Sequence, residues 1–283
     1  MLAHGWDHGS GTLQFGSGLR WRGTLDYGIG FGDAAGFRVT SVYENSESFR
    51  DDVTLKRYGI NPSFSVDFDA ATRLQLSFEK FHDDRTADRG IPSFNGRPVN
   101  TDPSTFFGNP KLSRTEADVE AFDAILDHTF SDSLSLRNHL RLADYSKYYQ
   151  NIFPSAVDAT GTLVTLAGYR SDSSRRNLFN QTDLVWKVTS GALQHTVLTG
   201  VELARQTTDN YRTTAYFAPG ANIVPLSNPN VNVPATFSQS ATDADNHGIA
   251  KTAALYLQDQ IEFSPQWQAI VGVRYDDFRV DLH

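Results

Sequence analysis

Connections of three to five residues alternate along this chain with connections of up to about forty, and the segments between them alternate apolar and polar side chains. The alternation is clearest where Tyr58, Ile60, Pro62, Phe64, Val66 and Phe68 share one face and Arg57, Gly59, Asn61, Ser63, Ser65 and Asp67 the other. A turn at Asp69–Ala71 follows, and then Leu74, Leu76 and Phe78 alternate with Arg73, Gln75, Ser77 and Glu79. Side chains of a strand point to opposite faces with a period of two, so the two segments form a hairpin with one apolar and one polar face.

The same grammar recurs around turns at 31–35, 131–133, 190–192 and 264–266. The intervening connections, at about 45–52, 83–115, 149–172 and 209–247, are of another character. Loops beyond about 12–15 residues are uncommon in compact soluble domains. Short turns at one end and long loops at the other are usual in transmembrane β-barrels of the outer-membrane type. Phe31, Phe37, Phe68, Phe130, Trp186, Phe263 and Trp267 gather beside the short turns, where an interfacial aromatic girdle belongs. Asn138 and Asp259 interrupt the pattern by falling on the apolar face.

Composition narrows the options further. The mean hydropathy is −0.40, and no run approaches the roughly 18–20 apolar residues of a membrane-spanning helix. A soluble β-sandwich shares the period-two pattern and stays open at this point. A net charge of −8 argues against nucleic acid as a partner, because phosphate backbones need a basic face. The lack of Cys removes thiolate chemistry and Cys-based zinc sites.

Residues 1–11 carry no basic and apolar leader pattern and are expected to be irregular, with a partial barrel over 12–283. His4 and His8 stand four apart without a third ligand, and Asp243, Asp245 and His247 lack the closing Glu of a calcium loop. About eleven strands are expected, the first at Thr12–Gly16. Barrels of this type normally close with an even number, and open edges in lipid cost several kcal/mol per unpaired group. The expectation is therefore an all-β, antiparallel fragment of a larger transmembrane barrel.

Several stretches carry a family resemblance. Ala254-Leu-Tyr-Leu-Gln-Asp-Gln-Ile261, then Trp267, then Gly272-Val-Arg-Tyr-Asp-Asp-Phe278 resemble a mid-barrel hairpin of TonB-dependent receptors. Tyr43–Arg50, Arg57–Pro62 and Asp88–Pro92 are similar to the same family, and Phe106-Phe-Gly-Asn-Pro110 to its siderophore-receptor branch. The resemblance implies about 11 strands of a 22-stranded barrel in the outer membrane of a Gram-negative-type cell, with the plug domain absent from this chain. It implies uptake of ferric siderophores driven by TonB, with iron carried inside the ligand and no cofactor held by protein side chains. A passive porin-like channel is the nearer alternative. An outer-membrane acyl hydrolase is remote, since no nucleophile motif is present and His128 and His139 lie in ordinary alternating segments.

Ligand contacts are expected in the loops. Arg85, Arg89 and Arg97 suit the negative oxygens of a hydroxamate or catecholate complex, and Phe94, Phe106 and Phe107 supply apolar walls. These aromatics would equally suit packing within a folded loop. Tyr149, Tyr169, Tyr211 and Tyr216, with Tyr148 and Phe217, edge the next loops and fit either an aromatic-rimmed mouth or the outer interfacial belt. Arg137, Arg141, Glu202, Glu262, Arg274 and Asp276 face the lumen, as wall charge pairs or as contacts for a plug.

Overall fold

A computed structural model describes residues 7–283. His4 lies outside the described residues. The strands are β1 (His8–Gly16), β2 (Arg20–Phe31), β3 (Ala35–Glu47), β4 (Thr54–Asp67), β5 (Thr72–Thr86), β6 (Ser93–Phe94), β7 (Arg97–Pro98), β8 (Arg114–Ser131) and β9 (Leu134–Val157). They continue as β10 (Leu163–Ser190), β11 (Leu193–Tyr216), β12 (Ile223–Pro225), β13 (Thr236–Ser238), β14 (Asp245–Ser264) and β15 (Trp267–Leu282). A 3₁₀ turn spans Pro110–Leu112.

Each long strand pairs antiparallel with the next, in the order β1-β2-β3-β4-β5-β8-β9-β10-β11-β14-β15. The described chain therefore has fifteen strands, not eleven. The four extra ones, β6, β7, β12 and β13, are two or three residues long and lie inside the long loops, too short to leave a period-two trace. β1 also starts at His8 rather than Thr12, because Gly9 and Gly11 contribute no side chain to the alternation.

Burial separates a membrane wall from a soluble sandwich. Val273 and Tyr275, on the apolar face, are 68% and 70% exposed, while Ser65 and Gln75 on the polar face are 2% and 9% exposed. A water-soluble sheet would bury the first set and hydrate the second. Apolar residues outward and polar residues inward is the barrel arrangement. Phe31, Phe68, Phe130, Trp186, Phe263 and Trp267 stand exposed on this outward face beside the short turns.

The two polar intruders on the outward face are paired with neighbours. Asn138 donates through Nδ2 to Thr182 Oγ1 at 2.7 Å and to Asn180 Oδ1 at 3.1 Å. Asp259 Oδ2 and His195 Nδ1 are 2.7 Å apart. Polar groups at membrane depth are tolerated when they satisfy one another in this way.

β9, β10 and β11 run for 24, 28 and 24 residues, whereas a tilted strand crosses the bilayer in about 9–11. The expected loop at 149–172 is accordingly strand except for 158–162. The alternation is lost there because apolar side chains turn toward a core built by the long loops instead of toward lipid. Val99, Phe107, Ile152, Val164, Leu166, Ala215 and Val224 are buried together in it. The register shifts between Thr165 and Leu166, where β9 carries an extra residue, Ser155, beside Pro154; a bulge of this kind accommodates a proline inside a sheet.

Candidate functional site

Loops 87–113 and 217–244 are tied to this extended wall and to each other. Gly108 donates to the carbonyl of Pro229 at 3.0 Å and accepts from Val231 N at 2.9 Å. Asn109 bonds the carbonyl of Val233 at 2.9 Å and caps the 3₁₀ turn through Lys111 N. Asn151 reaches the carbonyl of Ala87 at 2.5 Å, and Ser113 Oγ accepts from Ile152 N at 3.1 Å. Phe106 and Phe107 are 1% and 2% exposed, so the structure places them in the loop core and not on a ligand-facing surface. A Phe-Phe-Gly-Asn-Pro stretch is equally legible as a packing clamp, and burial decides for that.

Below the clamp, the inward faces of β9, β10 and β11 line a cavity of about 830 Å³. Tyr145, Lys147 and Tyr149 come from β9, Tyr169, Ser171, Ser173, Arg175 and Asn177 from β10, and Asn210 and Arg212 from β11. They share one face because Tyr145 is opposite Arg175, Lys147 opposite Ser173 and Ser171 opposite Arg212. The face continues, without a break in parity, the lumen-facing set that includes Arg137 and Arg141 lower on β9. Among the described residues no Asp or Glu lines the cavity, in a chain with a net charge of −8.

At the upper end, Tyr149 and Tyr169 stack with centroids 5.3 Å apart, and Phe153 meets Tyr169 edge-on at 6.1 Å. Arg89 descends from the loop, donating to Tyr169 Oη at 2.5 Å and Tyr149 Oη at 3.3 Å. Its guanidinium lies 4.2 Å from the Phe153 ring centroid. Arg212 lies 4.1 Å from the Tyr169 ring and is held by Asp243 at 3.1 Å. Tyr169 thus meets two guanidiniums, Arg89 at 5.2 Å and Arg212 at 4.1 Å from its ring centroid, and cation–π attraction contributes to both contacts.

Of the expected ligand residues, Arg89, Tyr149 and Tyr169 are brought together here. Arg85 is held by the buried Asp83 through two bonds of 2.6 Å. Phe94 packs on the loop core, and Arg97 is exposed on β7. Tyr211 belongs to the outward set of β11, opposite Asp245 and Asp172, and Tyr216 is exposed beside β13. Tyr145, Lys147, Arg175 and Arg212 carry no signal in the sequence beyond parity, and counting the period of two upward from Arg141 reaches the first two directly.

Five of the six other charges expected to face the lumen pair within the wall: Arg141 with Asp123 at 2.8 Å, Arg137 with Asp127 at 3.8 Å, and Arg274 with Glu202 and Asp276 at 3.2 and 2.8 Å. Asp243 serves Arg212 while His247 pairs with Asp209 at 2.6 Å, so the calcium-like trio is dispersed. Among the described residues no group of three or more His, Asp or Glu is placed to hold a metal ion.

Residues 58–282 match the family model of the TonB dependent receptor-like β-barrel. The chain belongs to this family. TonB-dependent receptors are outer-membrane receptors and transporters, not enzymes, which sets the localisation of the chain. It is 28% identical over 272 residues to the metal-pseudopaline receptor CntO of Pseudomonas aeruginosa, covering 95% of this chain and 38% of that protein. It is 26% identical over 296 residues to the catecholate siderophore receptor Fiu of Escherichia coli K12, again with coverage of 95% and 38%. Among solved structures, the siderophore receptor PiuA of Acinetobacter baumannii superposes with a TM-score of 0.84 at 23% identity, over 100% of this chain and 44% of that one. The pyoverdine receptor FpvA of Pseudomonas aeruginosa gives 0.85 at 14% identity, over 97% and 41%. The chain spans about two-fifths of the length of these relatives.

Proposed function

We propose that this TonB-dependent chain forms the ligand-collecting wall of a receptor that imports ferric siderophores, within a 22-stranded barrel to which its eleven long strands contribute one half. The observation that carries this reading is the cavity on the lumen face, rich in Arg, Lys and Tyr and free of carboxylates. Ferric complexes of catecholates or hydroxycarboxylates present negative oxygens around the metal, and many present planar rings. Arg89, Arg175, Arg212 and Lys147 supply charge-assisted donors to such oxygens. Tyr145, Tyr149 and Tyr169 offer ring faces for stacking. Iron stays within its chelator, so no side chain of the wall becomes a metal ligand. The names of the relatives, a metal-pseudopaline receptor and a catecholate siderophore receptor, agree with this ligand class. In the intact receptor, a plug domain inside the barrel and TonB, drawing on the inner membrane, would then move the captured complex.

The test is binding of a ferric dihydroxybenzoate complex to the intact receptor, followed by Trp fluorescence quenching. Arg89→Ala and Arg212→Ala are expected to weaken binding about tenfold each, as loss of a charge-assisted bond of ~1.5 kcal/mol implies. Unchanged affinity in both variants would remove the cavity from the uptake route.

A further inference from the structure

The inward face of β2–β5 carries a second concentration of charge, on the wall that leads away from the tyrosine-lined cavity. Register puts Arg22, Glu44, Arg57 and Asp83 in one row across four strands, with Arg20 and Arg85 one inward position higher. Glu44 and Asp83 are buried, whereas the four arginine side chains are between one-third and one-half exposed. Four cations thus share two carboxylates. The next inward carboxylate on β5, Glu79, lies four residues lower.

The two carboxylates are unequally divided. Asp83 binds Arg85 at 2.6 Å and stands 3.6 Å from Arg57. Glu44 faces Arg20, Arg22 and Arg57 at 3.4, 3.7 and 3.7 Å, beyond the roughly 2.7–2.9 Å of a charge-assisted hydrogen bond. Among the described residues these three arginines donate no side-chain hydrogen bond, and the Nε atoms of Arg22 and Arg57 are buried without a partner. A donor left in this way carries a desolvation cost that a bound acceptor removes. Glu44 therefore gathers the guanidiniums without saturating them, and a positive surplus remains on planar forks that match a carboxylate.

Rings have no place here. Phe81, the inward aromatic beside the cluster, packs on Gly59, where an added Cβ would meet its ring at 3.0 Å. Arg57 lies eleven residues above Phe68 in the girdle, which at about 3.3 Å per residue and a tilt near 45° is roughly 26 Å. The cluster thus opens at the outer end of the lumen. Its row continues through Ala117 to Lys147 and Ser173 of the cavity. Lys147 is three strand spacings from Arg57, about 14 Å along the wall, so different arms of one complex can occupy the two places.

We infer that Arg20, Arg22 and Arg57 bind the free carboxylate arms of an iron complex whose rings lie in the tyrosine-lined cavity. This rests on the uptake reading above and deepens it: the receptor selects chelates that combine aromatic rings with uncoordinated carboxylates. Bound carboxylates supply acceptors to the idle guanidiniums and neutralise the surplus charge.

The experiment compares two matched probes on the intact receptor by Trp fluorescence quenching. They are the ferric complexes of dihydroxybenzoylglycine and of its amide, which share their catechol rings and differ in the carboxylate. Wild type should bind the carboxylate complex roughly a hundredfold more tightly, about tenfold for each of two charge-assisted bonds. The double variant Arg20→Gln/Arg22→Gln, which leaves Arg57 to pair Glu44, should lose that preference and bind the amide complex as wild type does. Folding is checked by heat-modifiable gel mobility, and Arg20→Gln alone should lose about tenfold of the preference. Arg212→Ala, in the cavity, should weaken both complexes alike, so failure of the cavity and failure of the cluster read differently. Equal affinity of wild type for the two complexes, or a folded double variant that keeps the preference, overturns the inference. Equal weakening of both complexes in the double variant would reduce the arginines to long-range steering and overturn it too. Wild type that binds neither complex refutes the uptake reading, and this inference with it.

Discussion

Replacing Gly108 with Ala should detach the two long loops from the barrel wall while leaving the membrane strands in place. Gly108 holds a φ of +131°, where a side chain is strained by about 1–3 kcal/mol. A Cβ there would also lie 1.9 Å from the carbonyl oxygen of Ile152, a backbone atom fixed in the β9–β10 ladder. The loop must move, and the bonds to Pro229 and Val231 then lengthen or break, at about 1 kcal/mol each. The sum is about 3–5 kcal/mol, which exceeds the local stability of many surface loops. Hydrogen exchange on the intact receptor gives the readout, with Val231 and Leu112 as reporter amides. Their protection should fall at least a hundredfold, or vanish, while amides between Leu136 and Leu142 stay unchanged. Loss smaller than threefold would show that the clamp is not what holds the loops, and the account of the Phe106–Pro110 stretch would fail.

Other perturbations test the remaining links. Phe107→Ala, at a side chain only 2% exposed, should destabilise the loop core by about 3–5 kcal/mol, read as accelerated proteolysis after Lys111; cleavage at the wild-type rate would contradict it. Leu257 lies midway between Phe263 and Lys251 on the outward face of β14, so Leu257→Arg should lower folding stability in lipid vesicles by about 2–4 kcal/mol. Gln258→Arg, on the lumen side of the same strand, should change urea unfolding far less, and equal losses would invert the assigned faces. Hydrogen bonds from Thr160 Oγ1 and the backbone N–H groups of Leu163, Thr162 and Thr160 hold the Asp158 carboxyl at about 2, below its ordinary 3.8. The stabilisation of the β9–β10 tip is then complete above about pH 4 and lost as pH falls through 2. Protection of the Thr162 and Leu163 amides should follow that window in wild type and be flat in Asp158→Ala; loss between pH 5 and 7 would assign it to another group.

Legibility from sequence ended where the lipid ended. From Tyr58 to Phe68, the outward residues meet a uniformly apolar medium, so each position repeats one requirement and alternation survives. Above the belt, Ile152, Val164 and Leu166 meet a loop core while Tyr149 and Arg175 meet water, and no single pattern describes the strand. The 149–172 segment therefore reads as loop in the sequence. Parity itself did not fail, since Tyr145, Lys147 and Tyr149 keep the phase of Arg137 and Arg141. Arg89 and its two tyrosine partners were accessible as residue types suited to an anionic ligand. Their meeting point depends on contacts 60 and 80 residues apart in the chain, which periodicity does not encode. Phe106 and Phe107 illustrate the converse, since aromatic residues in a loop look alike whether they face a ligand or one another.

The projection of β9, β10 and β11 beyond the bilayer means that the candidate site is engraved on a lattice. Positions two apart on one strand repeat every 6.5–7 Å, and neighbouring strands lie about 4.8 Å away. Tyr145, Lys147 and Tyr149 mark one rail, and Ser171, Ser173 and Arg175 the next. A guest of different outline can be accommodated by exchanging the side chain at a single node, with the rails, their pairing and the loops above left as they are. Recognition of new chelators would then evolve by local editing of a stiff template, and the reach of each edit would be limited to the span between adjacent nodes.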